Sequence, residues 1–334
     1  MNYSDNVINI LTAKSYKGIG NAWIVKNLKD GASVDTIFSL IRRDAKENCH
    51  ITIKDFKSSR EAIKNKILKL EGFVDGIVAI GDENFPQYRG NVKNCERPVL
   101  LFYRGDLELL NANNKNVAVI GLLNPDGNTE AIEQSVVLEL IKNGATIVSG
   151  LALGCDSIAH RQALNSGGKT VAILPSPLNN ILPAANIELA NEIANNNGLL
   201  VTEYYENAGS KMELSSRYQE RDRLQALFSD SIVLSASYAK NDQGNDSGSR
   251  LAMKYAQNYS IPRAVIYDHC ADANNPKYDL SRQLIEEDSK ITIINRSNMI
   301  LSIEKILLHK PEIKLNQPNI FDYLGLLKNF RASL

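Results

Sequence analysis

The sequence predicts an α/β fold: a Rossmann-like, doubly wound and mostly parallel sheet preceded by a small helical domain. Three observations predict it. From Asn116 onward, short Val/Ile-rich runs alternate with amphipathic segments, as strands buried on both faces and their crossover helices do. The first seventy residues instead carry apolar residues at three- and four-residue spacings, a helical period. The 334-residue length suits about two domains at roughly 150 residues each.

In chain order, Trp23, Ile24 and Leu28, then Ile37, Phe38, Leu40 and Ile41, mark helices. Ser58 followed by Glu61 reads as a capping box opening the helix that carries Ile63, Ile67 and Leu70. Short runs at Ile77–Ile80 and Val99–Tyr103 are set off by turn-rich stretches. The regular array then supplies strands at Val117–Gly121, Ala145–Ser149, Thr170–Leu174, Leu199–Thr202, Ser231–Ala236, Arg263–Asp268 and Ile291–Ile294. Helical patterns fall near 129–143, 156–166, 186–197, 221–228, 247–259 and 279–288. The expected units are 1–72, helical; 73–295, Rossmann-like; and 296–334, a short helical tail.

Composition narrows the function classes. No apolar run reaches the roughly 18 residues of a membrane-spanning helix, and Met1–Asp5 does not open a secretory signal. Cys49, Cys95, Cys155 and Cys270 are scattered, without zinc or disulfide spacing. The reading is a cytoplasmic protein, with no membrane association, metal or cofactor expected. Thirty-eight basic residues balance 38 acidic ones, so nucleic-acid binding has to come from a local patch rather than the overall field.

Ligands of an open parallel sheet collect at the carboxyl ends of its strands. There Ser149-Gly150-Leu151-Ala152-Leu153-Gly154-Cys155-Asp156 leads into a helix carrying His160. Two glycines four apart permit close backbone approach, Asp156 is a candidate N-cap, and a helix N-terminus suits phosphate. A tight strand-to-helix turn would carry the same glycines.

This segment resembles the SGxAxGIDxxAH stretch of the DprA/Smf family of DNA-processing proteins. Other stretches follow in the family's order: Asn84-Phe85-Pro86 and Pro98–Asp106 at its entry strand, Gly167–Leu174 as GGKTIAVL, and Thr202-Glu203-Tyr204 as SEY. Arg221-Asp222-Arg223 stands at RNR and Ser247-Gly248-Ser249 at SGS, so the resemblance spans about residues 75–270. There are departures. GSR becomes Gly121-Leu122-Leu123, the GTGxDxxYP loop becomes Pro175–Pro183, and the Asn of RNR becomes Asp222.

The resemblance implies a protein that binds single-stranded DNA, assists a RecA-type recombinase and forms a homodimer. The expected phosphate-binding residues are Ser149, Gly150, Gly154, Asp156, Lys211, Arg217, Arg221, Arg223, Ser247, Gly248 and Ser249, with His160 and Glu203 in support. Amides at Gly150–Cys155 and Ser247–Ser249 would add to the grip. The bland alternative pairs Arg221 and Arg223 with Glu220 and Asp222 as a solvated cluster. Two further stretches could touch nucleic acid. Tyr16–Ala22 is similar to a helix-hairpin-helix turn, or is a plain helix–helix turn. Residues 42–69 carry nine Lys/Arg against four acids, either a binding face or a solvated helix surface.

The implied role is binding rather than catalysis. Related lonely-guy-type nucleotide phosphoribohydrolases carry a catalytic glutamate in the late turn, where this chain has Asn245–Met253 without a carboxylate inside the helix. Asp156 and His160, four apart, could form an acid/base pair or serve as cap and loop anchor. Two rivals stay open: a nucleotide-binding sensor or hydrolase using the Gly150/Ser247 pocket, and a partner or antitoxin in a defence pair with a toxin.

Overall fold

The computed structural model describes residues 1–44, 50–239 and 247–308, with the side chain of Ser247 set apart. Lys46, Asp246 and everything from residue 309 lie outside the described residues, including the Phe321–Leu327 stretch of the expected tail.

Among the described residues nine strands form one sheet in the order β1-β2-β6-β5-β4-β3-β7-β8-β9. The strands are β1 (Gly76–Ala79), β2 (Leu100–Gly105), β3 (Lys115–Ile120), β4 (Ala145–Ser149), β5 (Thr170–Ile173), β6 (Leu199–Thr202), β7 (Ser231–Leu234), β8 (Arg263–Ile266) and β9 (Thr292–Ile294). β1 and β2 join antiparallel at one edge; the other seven are mutually parallel. β3 is central, paired to β4 on one side (Val117 opposite Ile147) and to β7 on the other (Val119 opposite Val233). From β3 the chain winds one way through β4, β5 and β6, then returns to β7 and winds the other way. That reversal makes the carboxyl ends of β3 and β7 the switch point where such sheets bind ligands.

Alternation along β3 separates the layers. Val117 and Val119 pack with Val136, Val137 and Leu140 of α5 (Gly127–Lys142), Ala159 and Ala163 of α6 (Cys155–Asn165) and Ile303 and Ile306 of α11 (Met299–Leu308). Ala118 and Ile120 face Leu224 and Leu227 of α8 (Lys211–Leu227) and Ala252 and Met253 of α9 (Ser247–Tyr259). Helix α11 therefore belongs to the covering layer of the sheet.

Helices α1 (Asp5–Lys14), α2 (Asn21–Asn27), α3 (Val34–Asp44) and α4 (Ile53–Leu68) share a continuous core with the sheet. Ile8, Ile10 and Phe56 cluster with Ile77, Phe102 and, on α7 (Ile187–Asn195), Leu189. Asn2 bridges to Gly76, and Ser4 and Asn6 donate to Asp82 at 2.9 and 3.1 Å. α10 (Asp279–Glu287) completes the elements.

Two boundaries differ from the sequence reading. α4 opens six residues earlier, where Thr52 and Asp55 form the reciprocal capping box; Ser58 and Glu61 lie inside the helix. α8 begins ten residues earlier than 221, capped by the Ser210 hydroxyl on Glu213 N. Its first three turns are polar, so apolar periodicity marks only its end.

Candidate nucleic-acid interface at the switch point

At the end of β4, the buried Ser149 hydroxyl donates to Val119 O at 2.7 Å, tying two neighbouring strand ends together. The chain then turns sharply. Gly154 takes φ +71° as N-cap of α6, and a Cβ there would sit 2.2 Å from Leu122 O. Asp156 is accordingly inside the first turn, not the cap. Its Oδ2 reaches back to accept from Gly150 N (3.1 Å) and Ala152 N (3.2 Å), stapling the loop. Cys155 N donates to Leu122 O at 2.9 Å. The amides of Gly150, Ala152 and Cys155, expected to face a phosphate, thus bond within the protein. Asn186, which sequence reasoning missed, donates to Leu151 O at 2.8 Å from the other side.

The three arginines also turn inward. Arg221 is 5% exposed. It lies over Gly150 so closely that a Cβ would be 1.5 Å from a guanidinium nitrogen, which is why that position is glycine. It faces Asp222 at 3.5 Å and Asp156 at 3.8 Å. The Gln225 amide oxygen accepts from Gly150 N at 3.0 Å and from Arg221. Arg223 joins Glu203 at 2.7 Å and donates to Glu96 O (2.8 Å) and Glu220 O (2.7 Å). Burial works against the Arg223 charge, but Glu203 outweighs it and raises the pKa. Arg217 bonds Glu206 O and Glu213 Oε1, both at 2.7 Å, and stacks over Tyr204 at 4.3 Å. These guanidinium groups hold α8 to the β4–α6 and β6–α8 loops. They are buried rather than solvated, because acids and carbonyls of α8 itself (Glu213, Glu220, Asp222) and of other elements (Glu96, Asp156, Glu203, Glu206) enclose them.

Asp156 and His160 do not bond one another. His160 Nδ1 pairs with Thr170 Oγ1 at 2.6 Å, and burial with the nearby Arg221 charge pushes its pKa down to about 3, so the ring is neutral. Burial raises the Asp156 pKa and Arg221 opposes that shift. Behind this wall lies Glu133 of α5, fully buried, with Cys155 and Ser235 beside it; desolvation pushes its carboxyl up to about 8.

What remains open is a crevice of about 410 Å³ between Gly121, the β4–α6 loop, Pro183, α8 and the start of α9. Leu123 and Leu153 stand on its rim, 53% and 46% exposed. Ser215, Tyr218 and Gln219 line its α8 wall, with Arg221 and Gln225 deeper in. Gly248 and Ser249 close the α9 side, where Ser249 Oγ donates to Gly121 O at 3.2 Å. From the expected set the crevice thus collects Asp156, Arg221, Gly248 and Ser249, while Ser149, Gly150 and Gly154 are not among its lining residues. Lys211, Arg217 and Arg223 do not line it. Tyr218 and Gln225 lie three before and four after Arg221, one helix face, and knowing where α8 starts would have singled them out.

Residues 76–303 match the DNA recombination-mediator protein A family, beyond the 270 at which the motif resemblance ends. DNA processing protein DprA of Streptococcus pneumoniae is 31% identical over 199 residues, 59% of this chain and 64% of that protein. Protein Smf of Synechocystis is 32% identical over 165 residues, 49% of this chain and 39% of its own length. The chain thus spans less than two thirds of these relatives. The X-ray structure of pneumococcal DprA superimposes with a TM-score of 0.66 at 23% identity, covering 90% of this chain and 98% of that one. DNA processing protein A of Helicobacter pylori, solved to describe its single-stranded DNA binding mode, gives 0.53 at 28% identity, covering 69% and 100%. Among the described residues no helix is long and apolar enough to cross a membrane. With the family match spanning more than half its length and the sheet agreeing in fold, the chain belongs to the DNA recombination-mediator protein A family.

Proposed function

We propose that this protein binds single-stranded DNA by seating an unstacked base in the switch-point crevice. The observation that carries the reading is the character of the opening: an aromatic ring, Tyr218, with Leu123, Leu153 and Pro183 at the mouth, backed by the buried Arg221 guanidinium. A base presents a π-face and an apolar body to such a surface, and stacking of this kind tolerates any sequence. Burial raises the Tyr218 pKa, which keeps the phenol neutral beside a polyanion. The role is binding rather than catalysis, since the two carboxylates that line the crevice among the described residues, Asp156 and Asp222, face Arg221. Family membership supports DNA processing, assistance to a RecA-type recombinase and homodimer formation as parts of the same reading.

The test is a titration of labelled single- and double-stranded oligonucleotides at two salt concentrations, with nucleoside monophosphates as competitors. Tyr218→Ala is expected to weaken single-strand binding by about 1–3 kcal/mol. An unchanged affinity rejects the crevice as the strand site. A monophosphate that binds while oligonucleotides do not would favour the small-ligand reading, for which a pocket at the switch point is also the usual place.

A further inference from the structure

Two helices begin at the crevice, and each beginning is already met by a carboxylate of the protein itself. The first turn of α6 carries Asp156, whose Oδ2 accepts from Gly150 N and Ala152 N at 3.1 and 3.2 Å. The thirteen-residue α9 is met by Asp222 of α8: a Cβ on Gly248, its second residue, would stand 3.5 Å from Asp222 Oδ2. Asp222 is 4% exposed, so its carboxylate is packed against that helix end and does not trail in solvent. Helix N-termini carry the partial positive charge that attracts a phosphate. At this crevice both are taken.

The charges of the lining agree. Among the described residues it holds two carboxylates, Asp156 and Asp222, against one guanidinium, Arg221. Arg221 faces both, at 3.8 and 3.5 Å, so one negative charge is left in excess. Two departures from the family pattern produce that excess. Asp222 stands where RNR has its Asn, and Leu123, on the rim, stands where GSR has its Arg. Each makes the lining one charge more negative. A phosphate inside would lie close to an uncompensated like charge where water is partly excluded, and the repulsion there is strong. An uncharged base meets no such barrier.

We propose that Asp222 is a specificity-determining residue: it bars phosphate from the switch-point crevice and restricts the opening to the uncharged base of a strand. This rests on the strand-binding reading above and adds which part of a nucleotide the crevice refuses. Tyr218 and Asp222 are four residues apart on α8, neighbours on one helix face. The ring that stacks the base and the carboxylate that repels the phosphate therefore act on the same nucleotide.

The experiment displaces labelled oligothymidylate with thymidine or with thymidine 5′-monophosphate, on the full chain and on its Asp222→Asn and Tyr218→Ala variants. Thymidine should be the better competitor on the parent chain. Asp222→Asn keeps the shape and removes the charge, so it should tighten the monophosphate about tenfold or more and leave thymidine where it was. In a KCl series the same variant should steepen the log–log slope of oligothymidylate binding by about 0.7, the value of one single-strand phosphate admitted. If Tyr218→Ala weakens oligothymidylate but Asp222→Asn shifts both competitors alike, or neither, Asp222 does not select and this inference fails alone. If Tyr218→Ala changes nothing, the crevice reading fails instead. Should Asp222→Asn not fold, the parent chain decides: a monophosphate that competes as well as thymidine overturns the inference.

Discussion

The strands β3 and β7 end in a buried arginine at both poles, and the two ends are built to different purposes. At the amino pole Arg89 is fully buried. It donates to Leu110 O (3.1 Å), Asn111 O (3.0 Å) and Asn114 O (3.5 Å), and pairs with Asp230 at 3.4 Å. Asp230 in turn accepts Asn116 N at 2.8 Å, at the start of β3. Burial lowers the Arg89 pKa and Asp230 opposes the shift. At the carboxyl pole Arg221 has two acids at 3.5 and 3.8 Å and an Nε without a partner among the described residues, and it walls an open crevice. A guanidinium saturated by carbonyls closes a fold. One that is incompletely satisfied beside a cavity is available to bind.

The sharpest way to break that contrast is Arg89→Ala. Removing one partner of a buried pair leaves the Asp230 charge without its guanidinium and the Leu110 and Asn114 carbonyls without that donor, and about 3–5 kcal/mol of stability should be lost. Chemical denaturation measures this. Oligonucleotide affinity per folded molecule should not change, and a loss of affinity at equal folded fraction would show that the amino pole also serves the site.

The two poles also differ in how far the sequence disclosed them. The sheet was legible because strands covered on both faces read as uninterrupted Val/Ile runs, as at Val117–Gly121 and Ser231–Ala236. The glycine loop was legible as well, but its purpose was not. Gly150 makes room for Arg221, and Gly154 for the Leu122 and Leu123 carbonyls, rather than for a ligand. The arginines misled for a related reason. A charged residue on a polar helix is exposed by default, and nothing local announces that Glu96, 127 positions from Arg223 in the chain, will supply a carbonyl. Tyr218, Leu123 and Leu153 carried no polar signal and were passed over, although the crevice opens among them. Arg89, at the other pole, has no periodic or motif context and went unread.

A second test probes the buried acid behind the carboxyl pole. The Glu133 pKa is raised by burial from the usual 4.5 to about 8. The folded state therefore keeps a proton that the unfolded chain releases, and stability falls as pH rises between those two values. The expected slope is about 1.4 kcal/mol per pH unit, so about 2–3 kcal/mol between pH 6 and 8. Glu133→Gln holds the same shape without a titrating proton. Denaturation midpoints of this variant should lose that slope and exceed those of the parent chain above pH 8. An unchanged pH profile would mean that Glu133 is solvated and that the wall behind the crevice is looser than its burial shows.

The smallest effect separates the crevice mouth from ordinary exposed apolar surface. Leu153 on the rim and Leu301 on the outer side of α11 are 46% and 72% exposed. Neither buries enough area to matter for folding, so Leu153→Ser and Leu301→Ser should each change stability by less than about 0.5 kcal/mol. Binding should divide them. In the proposed reading Leu153 offers its side chain to a base entering beside Tyr218, and its loss would remove part of an apolar contact worth on the order of 1 kcal/mol or less. Leu301 lies on a helix that covers the opposite face of the sheet, with Ile303 and Ile306 turned into the core. Paired titrations should therefore find a few-fold weaker oligonucleotide binding for Leu153→Ser and none for Leu301→Ser. Equal effects would mean that the rim contributes only general apolarity, and the distinction between the crevice and the rest of the surface would be lost.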